Sequence, residues 1–222
     1  MEYYRIRSIQ DAAFAGMHRL MQEIFPVEEV LAYELWEGPL QDDGIHVYAA
    51  IDNGEVVGAT EYRYFAEQRV AVTDFTIIGK PGLGIGRFLA AARQMDLQRL
   101  AEQSGTRPIG MFAEIYDPYR TDYPFGGVSP MNPYVRREVL SHMGYKRLDI
   151  DYVHPSWDHE GTAVEGLDLC FLPADETLSS LPSALIVSYL TRYYDALPNK
   201  PAAWHAMMDG IRQRQDIALY PI

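Results

Sequence analysis

Lys80-Pro81-Gly82-Leu83-Gly84-Ile85-Gly86-Arg87 is the stretch on which the reading of this chain turns. It follows a β-branched run, Val70–Ile78, and opens a helix-like run over residues 87–102. Glycine adopts backbone angles that other residues avoid and lets a ligand come close to the main chain. A strand, a glycine turn and a helix N-terminus in succession form a cradle for an anion, because unpaired N–H groups and the helix dipole point the same way. The expected ligand carries phosphates.

Two other phosphate motifs fit less well. A dinucleotide turn needs its third glycine one residue later, follows the first strand of a parallel unit, and is answered by an acidic residue about 20 positions on. A Walker loop ends in Gly-Lys-Ser or Gly-Lys-Thr, which this run lacks. A glycine turn without a ligand is the remaining alternative.

Upstream of the ladder, residues 46–51 and Glu55–Phe65 are two alternating, β-branched and aromatic runs joined by Asp52-Asn53-Gly54, a hairpin signal. Val70–Ile78 continues that antiparallel series. Before it, residues 3–9 read as a first strand, Asp11 as the cap of a helix to about Phe25, and Pro26 as the start of a second helix over 27–36 that Gly38-Pro39 ends. In the helix after the ladder, Phe88, Leu89, Ala92, Met95, Leu97 and Leu100 are the expected buried face. Downstream come a strand over 109–115, a proline- and glycine-rich loop over 118–133, a short helix over 134–143 closed by Gly144, and strands over 145–154 and 167–172. Two helices, 178–197 and 202–215, finish the chain.

The 222 residues suffice for one full domain and a modest extension. Hydrophobic residues at 48% and charged residues at 23% are ordinary for a globular chain. No apolar run reaches membrane-spanning length, and the first residues lack the basic-then-apolar plan of a signal peptide, so a cytoplasmic protein with no membrane partner is expected. A formal charge of -12 disfavours nucleic acid and leans towards a basic, amine-bearing substrate. Cys170 is the sole cysteine, which excludes an internal disulfide, and its apolar neighbours mark it as a buried structural thiol. His154 and His159 invite a metal reading, but no third ligand supports it and no metal is expected.

The order strand, two helices, antiparallel strands, glycine turn, helix, strand, helix, strand resembles the GNAT family of acyl-CoA-dependent N-acetyltransferases, over roughly residues 3–172. Gly84 and Gly86 match that family's pyrophosphate loop, with Pro81 standing where the family has a basic or amide residue, so that this contact is lost or passes to Lys80. Phe112-Ala113-Glu114-Ile115-Tyr116-Asp117-Pro118, the stretch from Arg136-Arg137 to Gly144-Tyr145, and Asp151-Tyr152-Val153-His154-Pro155 resemble a bacterial subgroup of uncertain substrates. Phe25-Pro26-Val27-Glu28-Glu29 is similar to the family's helix connection near the acceptor site.

The resemblance implies an α+β fold with a mixed, mainly antiparallel central sheet flanked by helices. Residues 1–172 are then the acyl-CoA-binding domain, and 173–222 a C-terminal helical extension packed on it or on a partner subunit as a homodimer contact. Leu185, Ile186, Tyr189, Leu190, Tyr193 and Tyr194 give that extension an apolar stripe to bury. The implied co-substrate is acetyl-CoA, held by Lys80, Gly82, Leu83, Gly84, Ile85, Gly86 and Arg87, with Thr76, Ile77 and Ile78 supplying N–H groups to the acyl carbonyl. The implied reaction moves an acetyl group to a primary amine of a small-molecule or peptide acceptor by direct attack. The rival reading is a CoA-binding module without turnover.

An alkylammonium has no lone pair at neutral pH, so transfer to an amine needs a base. The resemblance implies a carboxylate near Asp74, Glu114 at the end of the neighbouring strand is the other leading candidate, and Glu61 on the hairpin is the third; partial burial would poise Glu114 and Asp74 better by raising their pKa. The family's thiolate is met by a tyrosine at the position of Leu140 here. His142, Tyr134, a loop tyrosine such as Tyr116, Tyr119 or Tyr123, or solvent can stand in for it. Ser129, Ser141 and Ser156 lack a nucleophile-elbow context, so serine hydrolysis is not expected.

Overall fold

The structure is a computed structural model that describes residues 1–25, 29–120, 132–157 and 161–222. It is mixed α+β, its strands mostly antiparallel and flanked by helices, and falls into two compact units. The first holds Met1–Tyr64 and Ala71–Arg107, and the second Phe65–Val70, residues 108–120 and Pro133–Ile222, so far as these are described. Residues 173–222 thus belong to the second unit.

In the first unit, β1 (Glu2–Arg5), β2 (Ile45–Asp52), β3 (Glu55–Phe65) and β4 (Val70–Ile78) lie side by side in chain order. β1 pairs antiparallel with β2 through Glu2 and Ile51, and β2 with β3 from Ile45 opposite Arg63 to Asp52 opposite Glu55. Asn53 (φ 51°) and Gly54 (φ 82°) make the tight turn between them, the left-handed pair that matches the twist of a two-residue hairpin. β1 stops at Arg5, short of residue 9, because Ser8 turns the chain: its Oγ accepts from the Gln10 amide and its carbonyl from the Asp11 amide. Asp11 then caps α1 (Ala12–Ile24), accepting from the Ala13 amide at 3.1 Å.

The second-helix expectation is partly outside the described residues, at Pro26, Val27 and Glu28. Beyond them a 3-10 turn, Tyr33–Trp36, leads into α2 (Glu37–Gln41). Gly38-Pro39 lies inside α2 and does not end it; in a first turn proline forfeits no hydrogen bond. α3 (Ile85–Gln103) covers β2 and β3 through Ala50, Val57, Ile85 and Leu89. Gly58 permits that approach, since a Cβ there would stand 2.5 Å from Ile85 Cγ2 and 2.7 Å from the Ile77 carbonyl oxygen. The buried residues of α3 are Ile85, Leu89, Arg93, Leu97 and Ala101, a stripe of spacing four, whereas Met95, expected inside, is 67% exposed.

In the second unit the strand order is β5 (Gly110–Tyr116), β9 (Leu167–Pro173), β6 (Lys146–Leu148), β11 (Asp216–Pro221), β10 (Ser180–Pro182). β7 (His154–Pro155) and β8 (Ala163–Val164) form a separate pair. α4 (Pro133–His142), α5 (Ser183–Tyr193) and α6 (Ala202–Arg212) complete it.

Three expectations change here. The strand expected over 145–154 is only Lys146–Leu148, because the Ile150 amide turns back to the Leu148 carbonyl and Arg214 grips Asp149 through its carbonyl and carboxylate. The helix expected from 178 starts at Ser183, since Pro182 is tolerated at the cap but not within a helix. The C-terminal segment is not helical throughout: Asp216–Pro221 is a strand, antiparallel to both β6 and β10, with Ile217 and Leu219 buried on alternate positions. The stripe of α5 is buried within this unit, Tyr189 stacking on Phe112 of β5 at 4.0 Å between ring centres.

Candidate functional site

The glycine ladder forms an open turn at the start of α3. Gly82 (φ 82°) and Gly84 (φ 69°) both take the left-handed conformation, and a Cβ at either would meet nothing within 4 Å. Gly84 is the N-cap of α3, and no side chain caps the helix. The amides of the first turn therefore have no acceptor in their own helix. Residues 80–84 are exposed, Ile85 anchors the turn in the core, and Gly86 lies over Ile78, where a Cβ would come within 2.9 Å of Ile78 Cδ1. Lys80 is not idle: its Nζ lies 2.6 Å from Oε2 of Glu55. An exposed, uncapped helix start with a lysine beside it suits a diphosphate, so these residues fit the pyrophosphate of CoA.

The same unit carries a pair of carboxyl groups. Glu61 on β3 is 2% exposed and hydrogen-bonds the side chain of Asp74, which is half-buried on β4. Burial, with the charge of Asp74 added to it, pushes the Glu61 carboxyl up to about 8, against the weaker pull of Arg63, whose Nη2 lies 3.4 Å away. Two carboxyls in contact, one of them buried, cannot both ionise readily, so the proton belongs to the pair. Glu61, the third candidate of the sequence, is thus a carboxyl whose proton affinity reaches the neutral range.

Close by on the chain, Arg93 of α3 reaches three hydroxyls with Nη1: Thr76 at 2.8 Å, Thr60 at 3.0 Å and Thr73 at 3.1 Å. Thr76, expected at the carbonyl site, therefore has its side chain engaged, while Ile77 is buried. Sequence reasoning missed Arg93. The signal was there, because it falls in register between Leu89 and Leu97 on the buried spacing of four.

Glu114 lies in the second unit, on β5 opposite Leu169. Its carboxylate accepts hydrogen bonds from the hydroxyls of Tyr152 and Tyr194, and Nδ1 of His154 lies 2.9 Å from Oε1. Tyr194 also bonds Tyr152 at 2.6 Å and His154 Nδ1 at 2.9 Å. Burial alone would raise this carboxyl, but the charge and hydrogen bond of His154 and the bonds from both tyrosines outweigh it, and Glu114 is held below the usual carboxylate value. The expectation that burial would make it a better base is reversed. The tyrosines move the other way, raised well above their ordinary value by burial and by the Glu114 charge.

The remaining candidates are scattered over α4 and the loop. His142 is exposed and its Nδ1 contacts the Glu138 carbonyl of its own helix at 2.9 Å. Tyr134 donates to the Pro118 carbonyl and packs edge-on against Tyr119, while Tyr116 is buried. Tyr123, Gly126, Gly127, Ser129, Asp158 and His159 lie outside the described residues. Among the described residues no three His, Cys, Asp or Glu side chains are grouped to hold a metal, and no helix is long and apolar enough to cross a membrane. Cys170 is buried, and burial with the charge of Asp168 raises its thiol.

No protein-family model and no curated protein matches this sequence. Solved structures do. A Bacteroides thetaiotaomicron protein described as an acetyltransferase from the GNAT family superposes with a TM-score of 0.56 at 16% identity, over 89% of this chain and 97% of its own. A Staphylococcus epidermidis protein described as an acetyltransferase gives 0.51 at 10% identity, over 77% of this chain and 96% of its own. An aminoglycoside 6'-N-acetyltransferase complexed with coenzyme A gives 0.50 at 17% identity, over 77% and 95%. The chain has the GNAT fold.

Proposed function

We propose that this protein is an N-acetyltransferase that moves an acetyl group from acetyl-CoA to a primary amine. The observation that carries the reading is the Glu61 and Asp74 pair, a base raised to about 8 in the same unit as the uncapped glycine turn. The fold of the similar structures supports it.

Acetyl-CoA, when bound, supplies the acyl thioester. The amides at the start of α3 from Leu83 to Arg87, together with Lys80, hold its diphosphate. N–H groups near Thr76 to Ile78 are the proposed donors to the acyl carbonyl. The carboxyl pair then acts as one base. Asp74 is its half-buried, accessible member and Glu61 its buried one. Once the pair has lost its second proton, it takes one from an alkylammonium of pKa about 10 at modest cost, and the neutral amine attacks directly. Glu114, already saturated with donors and depressed in proton affinity, is assigned the task of holding β5, β7 and the end of α5 together. The departing thiolate needs no dedicated acid, since a thiol is acidic enough to leave into solvent. His142 and the α4 tyrosine are therefore not required.

Incubation with acetyl-CoA and a panel of amines, followed by detection of free thiol, tests the proposal. Amine-dependent thiol release that Glu61→Gln abolishes is expected. Absence of both CoA binding and thiol release would remove it. Leu140, on α4 where the family has tyrosine, favours a second reading, a CoA-binding module without turnover. Tight CoA binding with no thiol release from any amine, and no effect of Glu61→Gln or Asp74→Asn, would favour that module.

A further inference from the structure

Arg93 is an arginine buried without a carboxylate. It is 5% exposed, and among the described residues no acidic side chain forms an ion pair with it. Its Nη1 has two N–H groups for three hydroxyls, so the hydroxyls also bond one another: Thr60 to Thr76 at 3.2 Å and Thr73 to Thr76 at 3.4 Å. The Thr60 hydroxyl donates to the Phe75 carbonyl at 3.0 Å, and the Thr73 hydroxyl to the carbonyl of Glu61 at 3.3 Å.

The spacing of those threonines matters. Residues three apart on a regular strand face opposite sides of the sheet. Thr73 and Thr76 of β4 nevertheless meet the same nitrogen, so the alternation breaks between them. Asp74 sits in the break. A break of this kind frees one residue from the ladder and re-aims its side chain. The buried guanidinium is the common donor to the three hydroxyls, and its loss would leave them without it.

We propose that Arg93 is a positioning residue: by holding Thr73 and Thr76 on one nitrogen it fixes the break in β4 and, through it, the approach of the Asp74 carboxylate to Glu61. This rests on the acetyl-transfer reading for its functional meaning but not for its structural content. Arg93 touches neither carboxyl of the pair in a hydrogen bond and acts through the threonines.

The test is the titration of Glu61 itself, read from the carboxyl resonance of 13C-labelled glutamate in the free protein, with Glu61→Gln assigning the signal. Wild type is expected to titrate near pH 8. Arg93→Met lets Asp74 withdraw, and the midpoint falls by about one pH unit or more; Arg93→Lys, with three donors for three hydroxyls, keeps it within about 0.3. In turnover, Arg93→Met loses kcat at least about tenfold while KM for acetyl-CoA stays within about twofold, and Arg93→Lys restores kcat. A folded Arg93→Met that keeps the wild-type midpoint overturns the proposal, as does an Arg93→Lys midpoint displaced as far as that of Arg93→Met. Where Arg93→Met does not fold, Thr76→Val replaces it, and an unmoved midpoint there overturns the proposal equally. Absence of turnover in wild type alongside the expected titrations would sink acetyl transfer and leave the role of Arg93 standing.

Discussion

Glu61 on β3 and Asp74 on β4 share a side-chain hydrogen bond inside the first unit, and the buried member of the pair is the one whose proton affinity is raised to about 8. That places its ionisation where a base is useful. With an acceptor amine whose own pKa lies far from 8, kcat/KM should rise with pH and level off above about 8. Glu61→Gln should lose about 100-fold or more and the rise with it, which a pH-rate profile reads directly.

The same pair has a stability signature. The Glu61 carboxyl is raised from 4.5 in the unfolded chain to about 8 in the folded one, so the folded state holds the extra proton between those values. Stability from this group is complete below about 4.5 and is lost as pH rises through about 8. Wild type should therefore lose about 4 kcal/mol between pH 5 and pH 9 from this site, and Glu61→Gln should lack that part of the slope. Urea unfolding of both proteins at the two pH values decides it; parallel slopes would count against the buried proton.

Glu114 carries the opposite sign. Its carboxyl is depressed by His154, Tyr152 and Tyr194 against the effect of burial, so its contribution is present above about 4.5 and disappears as pH falls through its lower folded value. Glu114→Gln should cost about 3–5 kcal/mol at pH 7, because it strands a buried imidazole and two hydroxyls that were built around a charge. At permissive temperature the folded remainder should retain kcat within about threefold. A large loss of kcat with unchanged unfolding would return Glu114 to the role of base.

What the sequence shows and hides follows from the range of the forces involved. Asp52-Asn53-Gly54, the cap at Asp11 and the glycine ladder are local, since each is specified by backbone angles or by a side chain bonding its own neighbours, and each forms where expected. The β11 strand was hidden because Ile217 and Leu219 are only two alternating apolar positions, too few to outweigh the preceding helix. Glu61 could be recognised as a candidate on an alternating strand, but its rank depends on Asp74, thirteen residues on and brought alongside only by strand pairing. Arg93 was hidden for a different reason. A charged residue on a helix is read as solvent-facing, and here three threonine hydroxyls from β3 and β4 make its burial possible.

Lys80 and Glu55 make a prediction about affinity. Their 2.6 Å contact is exposed on both sides, at 47% and 64%, so it adds little to folding. It does occupy the one lysine beside the glycine turn, and Glu55 places a negative charge near the proposed diphosphate site. Glu55→Gln should tighten CoA binding about two- to fivefold at low salt, with the difference shrinking as ionic strength rises, while Lys80→Met should weaken it. Calorimetric titration with CoA at two salt concentrations measures both. Equal affinity in Glu55→Gln and wild type would place Lys80 outside the binding site.

Gly58 and Gly84 separate the support of the turn from the turn itself. At Gly58 an added methyl meets Ile85 Cγ2 at 2.5 Å and, less forgivingly, the Ile77 carbonyl oxygen at 2.7 Å. A side chain can rotate away, but a strand carbonyl cannot, so β3 and β4 must shift against each other at this point. Gly58→Ala should cost about 2–3 kcal/mol with or without CoA. At Gly84 the methyl meets nothing, and the cost is only that of holding alanine at φ 69°, about 1 kcal/mol. If a diphosphate lies against this backbone, the methyl occupies the space the ligand needs. Gly84→Ala should then lose at least about tenfold in CoA affinity, far more than its stability change predicts, and CoA should raise its Tm less than that of wild type. Wild-type CoA affinity in a folded Gly84→Ala would mean that the open face of the ladder is not where the diphosphate sits.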